Sequence, residues 1–167
     1  MDSLSEQEAT RRNSLEEIRN LGIDPYPPEL FEVNTSSKDI LENFTDGEPG
    51  FEEVSLAGRI MSRRVMGNAS FAELQDSTGK IQVYIRRDEI CPDEDKTLYN
   101  LVFKRYLDIG DIIGVTGRVF VTKVGETSIH VSGLKVLCKT LRPLPIVKEK
   151  EGEVYDSFTD PEQRYRQ

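Results

Sequence analysis

Short runs in which apolar and polar residues alternate fill the middle of the chain and predict β-strands. These runs cover residues 54–66, 69–76, 80–86, 111–122 and 127–138. Turn-forming sequences, Ser77-Thr-Gly79 and Lys123-Val-Gly125, separate the second run from the third and the fourth from the fifth. Residues 94–107 break the alternation, because their apolar side chains recur at helical intervals, at Leu98, Leu101, Val102 and Tyr106.

This order of elements predicts a mainly β fold. Three strands, one helix and two further strands are the order found in the OB-fold, a five-stranded Greek-key barrel with a helix between strands 3 and 4. An SH3-like barrel is the main alternative, but it does not normally place a helix of this length at that point.

An N-terminal α-helix is predicted before the barrel. Ser5 and Glu8 have the spacing of a capping box, apolar residues follow at helical spacing, and Gly22 is expected to end the helix. A second, short helix is predicted to start from a serine cap within residues 35–39. We expect three regions: an N-terminal helix and extended lead-in segment over residues 1–53, an OB-fold domain over 54–141, and a linker over 142–167.

The charge of the chain is unevenly distributed. The formal net charge is −8, which by itself argues against a nucleic-acid partner. Residues 58–87, however, contain six basic residues against two acidic ones. An acidic protein with one basic strip favours local, selective RNA contact over general coating of nucleic acid.

Several classes of protein are disfavoured by the composition. The apolar runs are too short to cross a bilayer, and the N-terminus lacks the apolar stretch of a secretory signal. One histidine and two distant cysteines leave little scope for a metal site, and no catalytic residues are predicted. We therefore expect a cytoplasmic protein with no metal and no membrane partner.

Alternation also assigns the faces of the second and third strands. Ala72, Leu74, Ile81, Val83 and Ile85 suit the interior. The outer face then carries Phe71, Gln82, Tyr84 and Arg86. Aromatic rings stack on bases, amides bind base edges and arginines bind phosphates, so this face fits single-stranded nucleic acid. The alternative is that Phe71 and Tyr84 pack under the N-terminal segment.

The chain resembles the class IIb aminoacyl-tRNA synthetases, and most closely the lysine-specific, bacterial-type family. The resemblance rests on residues 55–89 and 110–145, on DPYPPE at residues 24–29, and on FTDPEQRYRQ at residues 158–167. In that family RYRQ leads into the first motif of the catalytic domain, so the resemblance implies an anticodon-binding region truncated before that domain. It implies a partner, the anticodon loop of lysine tRNA, and a homodimeric parent lysine–tRNA ligase that uses ATP and Mg²⁺. The fragment alone is expected to hold no cofactor and to lack catalysis.

The resemblance also implies roles for four residues. Phe71 would stack on the central anticodon base, Gln82 would read a uracil edge, Arg64 would contact the anticodon, and Glu126 would recognise another anticodon base. Strict alternation would turn Arg63 outward instead of Arg64, so a bulge or bend near Gly67 is required. Accessory RNA contacts are predicted for a further set of residues, namely Arg63, Tyr84, Arg86, Arg11, Arg12 and Arg19.

Three alternative functions remain at this point. The same module could belong to an aspartyl- or asparaginyl-tRNA synthetase, whose anticodons share the central uracil. The barrel could be a generic single-stranded nucleic-acid-binding OB protein. Its exposed aromatic residues could instead form a protein–protein interface.

Overall fold

The computed structural model of the chain describes residues 6–27 and 30–142, together with the backbone of residues 147–150 and 153–156. The predicted cap at Ser5 and the sequence FTDPEQRYRQ lie outside the described residues. The helices are α1 (Glu6–Asn20), α2 (Ser37–Asn43), α3 (Arg87–Ile90) and a π-helix (Leu98–Tyr106). The strands are β1 (Val54–Met66), β2 (Ala69–Gln75), β3 (Lys80–Arg86), β4 (Ile112–Val121), β5 (Thr127–Cys138), β6 (Val147–Lys150) and β7 (Glu153–Asp156).

Strands β1 to β5 close into a barrel in the order β1-β2-β3-β5-β4. β1 pairs antiparallel with both β2 and β4, and β3 pairs parallel with β5. The π-helix lies between β3 and β4 in the chain. The predicted mainly β, five-stranded OB-fold barrel with a helix after its third strand and a helix before the barrel is confirmed.

The barrel interior is filled by the residues that alternation pointed inward. Leu74, Val83 and Ile85 are fully buried, and Ala72 and Ile81 are almost fully buried. β4 and β5 contribute Ile113, Val115, Ile129 and Val131 to the same core. Because the period of a strand is two residues, burying this set leaves the neighbouring residues of β2 and β3 on the outer wall.

The π-helix packs its aromatic residues into the core. Tyr99 and Phe103 are buried with their ring centroids 5.9 Å apart, and the Tyr99 hydroxyl is 2.8 Å from that of Ser70 on β2. The last turn closes with a bond from Leu107 N–H to the carbonyl of Val102, five residues earlier. This bond identifies the helix as π-helical, which the spacing of its apolar residues did not predict.

Helix α1 is attached to the barrel by apolar packing and by a buried charge network. Leu15 and Ile18 are buried, and Gly22, at φ 82°, ends the helix with the predicted left-handed cap. The Arg11 guanidinium of α1 lies 4.0 Å from the carboxylate of Asp111, and the buried Lys139 ammonium lies 2.9 Å from that carboxylate and 2.8 Å from that of Asp108.

The lead-in residues that the structure describes, 30–53, lie along the barrel. Helix α2 starts at a serine cap as predicted, with the Ser36 hydroxyl accepting the Asp39 N–H. The ring of Phe31 covers Gly114, where a Cβ atom would approach it to 2.7 Å. Helix α3 and the β6–β7 hairpin were not predicted, since four-residue elements give little periodicity. None of the helices in the described part of the chain is long and apolar enough to cross a membrane.

Candidate nucleic-acid interface

A row of outward-facing residues crosses the whole barrel wall at one level. The strand register sets five consecutive neighbours opposite one another, in the order Arg64, Phe71, Tyr84, His130 and Arg118. A second row lies one step along the strands and contains Ser62, Glu73, Gln82, Ser128 and Phe120. Side chains directly opposite on a sheet face are near enough to act together. The wall is therefore a continuous surface that runs beyond β2 and β3.

A β-bulge in β1 decides which arginine belongs to this surface. Ile60 pairs with Leu74 and Ser62 pairs with Glu73, so Met61 is an extra residue. The extra residue reverses the alternation beyond it. Arg63 then pairs with the inward-facing Ala72, and Arg64 pairs with the outward-facing Phe71. A bulge or bend was expected near Gly67. The bulge lies at Met61 instead, and beyond it the pairing of β1 with β2 continues without a further shift to Met66 opposite Ala69.

All four residues with implied anticodon roles line one shallow pocket. Its volume is about 290 Å³, and its walls include Arg64, Phe71, Gln82 and Glu126. Arg64 and Glu126 are exposed, whereas Phe71 and Gln82 are half-buried. Three strands and the β4–β5 turn thus contribute to one concave surface.

Phe71 is held on a platform of other rings. Its centroid is 4.9 Å from that of Tyr84, and the Arg64 guanidinium carbon is 5.7 Å from its centre. Tyr84 in turn lies 5.3 Å from His130 and 6.1 Å from Phe120. The ring of Phe71 is therefore fixed from one side and flanked by a cation, an arrangement that suits stacking with a planar ligand.

Gln82 is oriented by a neighbouring serine. The Ser128 hydroxyl donates to the Gln82 side-chain oxygen at 2.8 Å. Because Ser128 engages the oxygen, the amide nitrogen of Gln82 is the group left to donate to a ligand. Gln82 therefore presents a hydrogen-bond donor to the pocket.

Glu126 is positioned by the turn that joins β4 to β5. Thr122 N–H donates to the Glu126 carbonyl at 2.9 Å, and Glu126 N–H donates to the Thr122 hydroxyl at 3.1 Å. Gly125 occupies the left-handed region at φ 87°, which the turn requires. The two bonds fix the backbone at Glu126, so its carboxylate can act as an acceptor at a defined place on the rim.

Two of the predicted accessory arginines act within the fold. The Arg63 guanidinium donates to the carbonyls of Phe103 and Leu107, at 2.7 and 2.6 Å, and so caps the π-helix. Burial accordingly lowers the pKa of Arg63. Arg11 donates to the carbonyls of Ile109 and Thr140. One nitrogen of Arg63 and two of Arg11 are thus engaged within the protein, and the accessory RNA contacts at both residues stay a prediction.

The other accessory residues remain on the surface. Arg86 and Arg12 are exposed, Arg19 is exposed and pairs with Glu16 at 3.1 Å, and Tyr84 is half-buried in the ring platform. Sequence reasoning missed four wall residues, namely Arg118, Phe120, Ser128 and His130. Alternation along β4 and β5, applied as it was to β2 and β3, would have placed all four outward.

Comparison with known proteins finds a matching family model and several similar proteins. The model of a family described as an OB-fold nucleic acid binding domain, of the tRNA anticodon type, matches residues 54–137. A lysine–tRNA ligase of Porphyromonas gingivalis is 62% identical over 165 residues, 98% of this chain and 28% of that protein. The corresponding ligase of Azobacteroides pseudotrichonymphae is 57% identical over 98% of this chain and 33% of its own length. That of Christiangramia forsetii is 55% identical over 100% of this chain and 29% of its own. The chain thus spans about a third or less of the length of these relatives.

Proposed function

The chain belongs to the tRNA anticodon family of OB-fold nucleic acid binding domains, and from this membership we propose that its outer wall reads the anticodon of lysine tRNA. One observation carries the proposal. Arg64, Phe71, Gln82 and Glu126, which supply a cation, a ring, a donor and an acceptor, open onto one pocket of about 290 Å³. These four chemistries are what recognition of unpaired nucleotides requires.

Phe71 supplies the stacking platform for a base. Its half-buried ring rests against Tyr84, so it can bind a base without first being ordered. Stacking of a base on an aromatic side chain contributes about 1–3 kcal/mol and tolerates any base. Phe71 therefore provides affinity, while discrimination between bases must come from its polar neighbours.

Gln82 supplies the discrimination. With its oxygen engaged by Ser128, its amide nitrogen donates outward and needs an acceptor on the base. Uracil presents the O4 carbonyl where cytosine presents an amino group, which is a donor and leaves the amide unpaired. The Gln82–Ser128 pair therefore supports selection of uracil, the base that pairs with adenine in lysine codons.

Arg64 and Glu126 complete the site from opposite sides. The Arg64 guanidinium lies over the edge of the pocket at Phe71, where it can contact a phosphate of the bound loop. Glu126 is an acceptor only, so it can bind an N–H group of a second base. Arg86, Arg12 and Arg19 are the exposed cations proposed to add weaker phosphate contacts.

We further propose that the wider protein is a cytoplasmic, homodimeric lysine–tRNA ligase. The relatives described above are lysine–tRNA ligases, which favours lysine over the aspartyl, asparaginyl and generic single-strand alternatives. ATP and Mg²⁺ would serve aminoacylation in such an enzyme. Within the described residues, no three carboxylate, thiol or imidazole side chains are grouped to hold a metal ion. The division at residues 1–53, 54–141 and 142–167 is part of this proposal.

Competition binding among three anticodon stem-loops tests the proposal. The lysine loop should bind more tightly than an aspartate loop, and both more tightly than an unrelated loop. Phe71→Ala should lower the affinity for every loop by roughly 5- to 150-fold. Gln82→Ala should weaken the lysine loop far more than a version with cytosine at the central position. Gln75→Ala, the same change on an exposed part of β2, should alter neither. Equal binding of all three loops by the unaltered chain would refute the proposal.

A further inference from the structure

The ring platform continues past the proposed anticodon pocket onto β4 and β5. Phe120 and His130 lie 5.6 Å apart, and each contacts Tyr84 on the side away from Phe71's strand. Arg118 opposes His130 in the strand register, with its guanidinium carbon 5.9 Å from the Phe120 ring centre. We name Arg118, Phe120 and His130 the β4–β5 patch. It repeats the combination of exposed arginine and ring that Arg64 and Phe71 form at the other end of the row.

The patch has the composition of a nucleotide-binding surface. Arg118 is exposed, whereas the two rings are half-buried and held by Tyr84. Rings arranged in succession along a groove hold successive bases of a single strand, and neighbouring arginines hold the backbone. The core of the barrel is complete without Arg118, whose guanidinium extends over Phe120 at the surface.

A cavity beside the patch indicates which bases it suits. The cavity measures about 640 Å³, and its lining includes Arg118 and His130 together with three carboxylates, those of Glu52, Glu53 and Glu89. Ionised carboxylates accept hydrogen bonds and cannot donate them. The amino groups of adenine, cytosine and guanine each carry two N–H donors for carboxylates, whereas uracil has no amino group and donates only through its ring N3–H. A phosphate would be repelled by the carboxylates and attracted by the Arg118 guanidinium.

We propose that the β4–β5 patch binds a nucleotide adjoining the anticodon, with its base on the Phe120 and His130 rings, its amino group toward the carboxylates and its phosphate toward Arg118. The proposal rests on the function proposed above and extends its site to a further nucleotide. It makes the footprint of the loop run across all five strands, from Arg64 on β1 to Arg118 on β4. It also adds a preference for an amino-bearing base at a position outside the three anticodon nucleotides.

Abasic scanning of the lysine anticodon stem-loop tests the inference. Affinity would be measured for loops in which one nucleotide at a time lacks its base, using the full chain and the variants Phe120→Leu and Arg118→Ala. Phe120→Leu keeps an apolar side chain but removes the ring, and Arg118 is exposed, so at least the second variant should fold. Arg105→Ala is the control, because it removes one positive charge from an exposed residue of the π-helix.

The expected result is one loop position next to the anticodon where loss of the base weakens the unaltered chain by roughly 5- to 150-fold. Phe120→Leu should reduce this penalty to about twofold or less, and Arg105→Ala should leave it intact. Arg118→Ala should lower the affinity for every loop that retains the phosphate, and it should do so by more than Arg105→Ala does. A loop with adenine at that position should bind more tightly than a loop with uracil there, and Glu89→Gln should reduce this difference in affinity.

Three outcomes would overturn the inference in whole or in part, and a fourth would overturn the function on which it rests. Either the absence of any sensitive flanking position, or a penalty that Phe120→Leu leaves unchanged, removes the second nucleotide site while the anticodon pocket stands. Equal affinity for adenine and uracil removes the assignment of the carboxylates. If loss of the central anticodon base has no effect and Phe71→Ala has none either, the proposed function itself fails.

Discussion

The guanidinium of Arg64 lies over the ring of Phe71, 5.7 Å from its centre, while that of the adjacent Arg63 lies 5.7 Å from the ring of Phe103 on the other side of the strand. Two successive arginines thus serve opposite faces of β1. The extra residue at Met61 sets which of them faces each way. One bulge therefore links the capping of the π-helix to the composition of the proposed RNA-binding wall.

Replacing Arg63 should lower the stability of the fold, whereas replacing Arg64 should weaken RNA binding. Arg63→Met should lower the free energy of unfolding by about 1.5–3 kcal/mol, because hydrogen bonds from a charged donor to two helix-terminal carbonyls are lost. Arg64→Met should change it by about 0.5 kcal/mol or less, since Arg64 is exposed, but should weaken stem-loop binding. Urea unfolding and stem-loop titration of both variants measure this. Equal stability of the two variants would contradict the assigned roles.

Much of the wall follows from the sequence because strand alternation is local. Phe71, Gln82 and Tyr84 could be assigned outward from the apolar residues beside them, and the structure agrees. The position of the Met61 bulge could not be assigned, since an extra residue leaves no signal in a run that already mixes arginine and apolar side chains. The Gln82–Ser128 bond joins residues 46 positions apart, and it depends on the parallel pairing of β3 with β5. Contacts of that kind require the closed barrel.

Removal of the serine that orients Gln82 should reduce base selectivity. In Ser128→Ala the Gln82 amide can rotate and present either its oxygen or its nitrogen, so cytosine becomes acceptable. The preference for a uracil-containing loop over its cytosine counterpart should fall several-fold, with a smaller loss of total affinity than in Gln82→Ala. Ser77→Ala, in the β2–β3 turn, is the control. An unchanged preference in Ser128→Ala would show that Gln82 needs no partner.

The buried charges beneath α1 should behave as a coupled unit. Lys139→Met leaves the carboxylate of Asp111, which has no exposed surface, without its ammonium partner. Breaking such a pair costs about 3–5 kcal/mol of unfolding free energy. Burial already raises the pKa of Asp111, and the Lys139 hydrogen bond opposes that rise.

A double variant tests the coupling. Adding Asp111→Asn to Lys139→Met should recover part of the lost stability, because it removes the buried charge that Lys139 no longer neutralises. Lys123→Met, at an exposed turn residue, should change stability by about 0.5 kcal/mol or less. Chemical denaturation of the single and double variants provides the cycle. Strictly additive losses would rule out coupling between Lys139 and Asp111.

The one histidine of the chain should make stability depend on pH near neutrality. Burial lowers the pKa of His130 from its ordinary 6.5, Arg118 and Arg86 lower it further, and Glu89 opposes them. The unfolded chain therefore takes up a proton at a higher pH than the folded chain does. Stability should be fully present above about pH 6.5 and should fall as the pH drops toward the folded pKa, because protons then favour the unfolded state.

The single imidazole NMR signal reports the folded pKa directly, and urea unfolding between pH 5 and 8 reports the stability. The His130→Gln variant should lose this pH dependence of stability. The Arg118→Ala variant should have a higher pKa of His130 in the folded chain and therefore a weaker pH dependence of stability. A titration midpoint above 6.5 in the folded chain would contradict the assignment, because it would mean that the carboxylate of Glu89, and not burial beside two arginines, dominates the surroundings of His130.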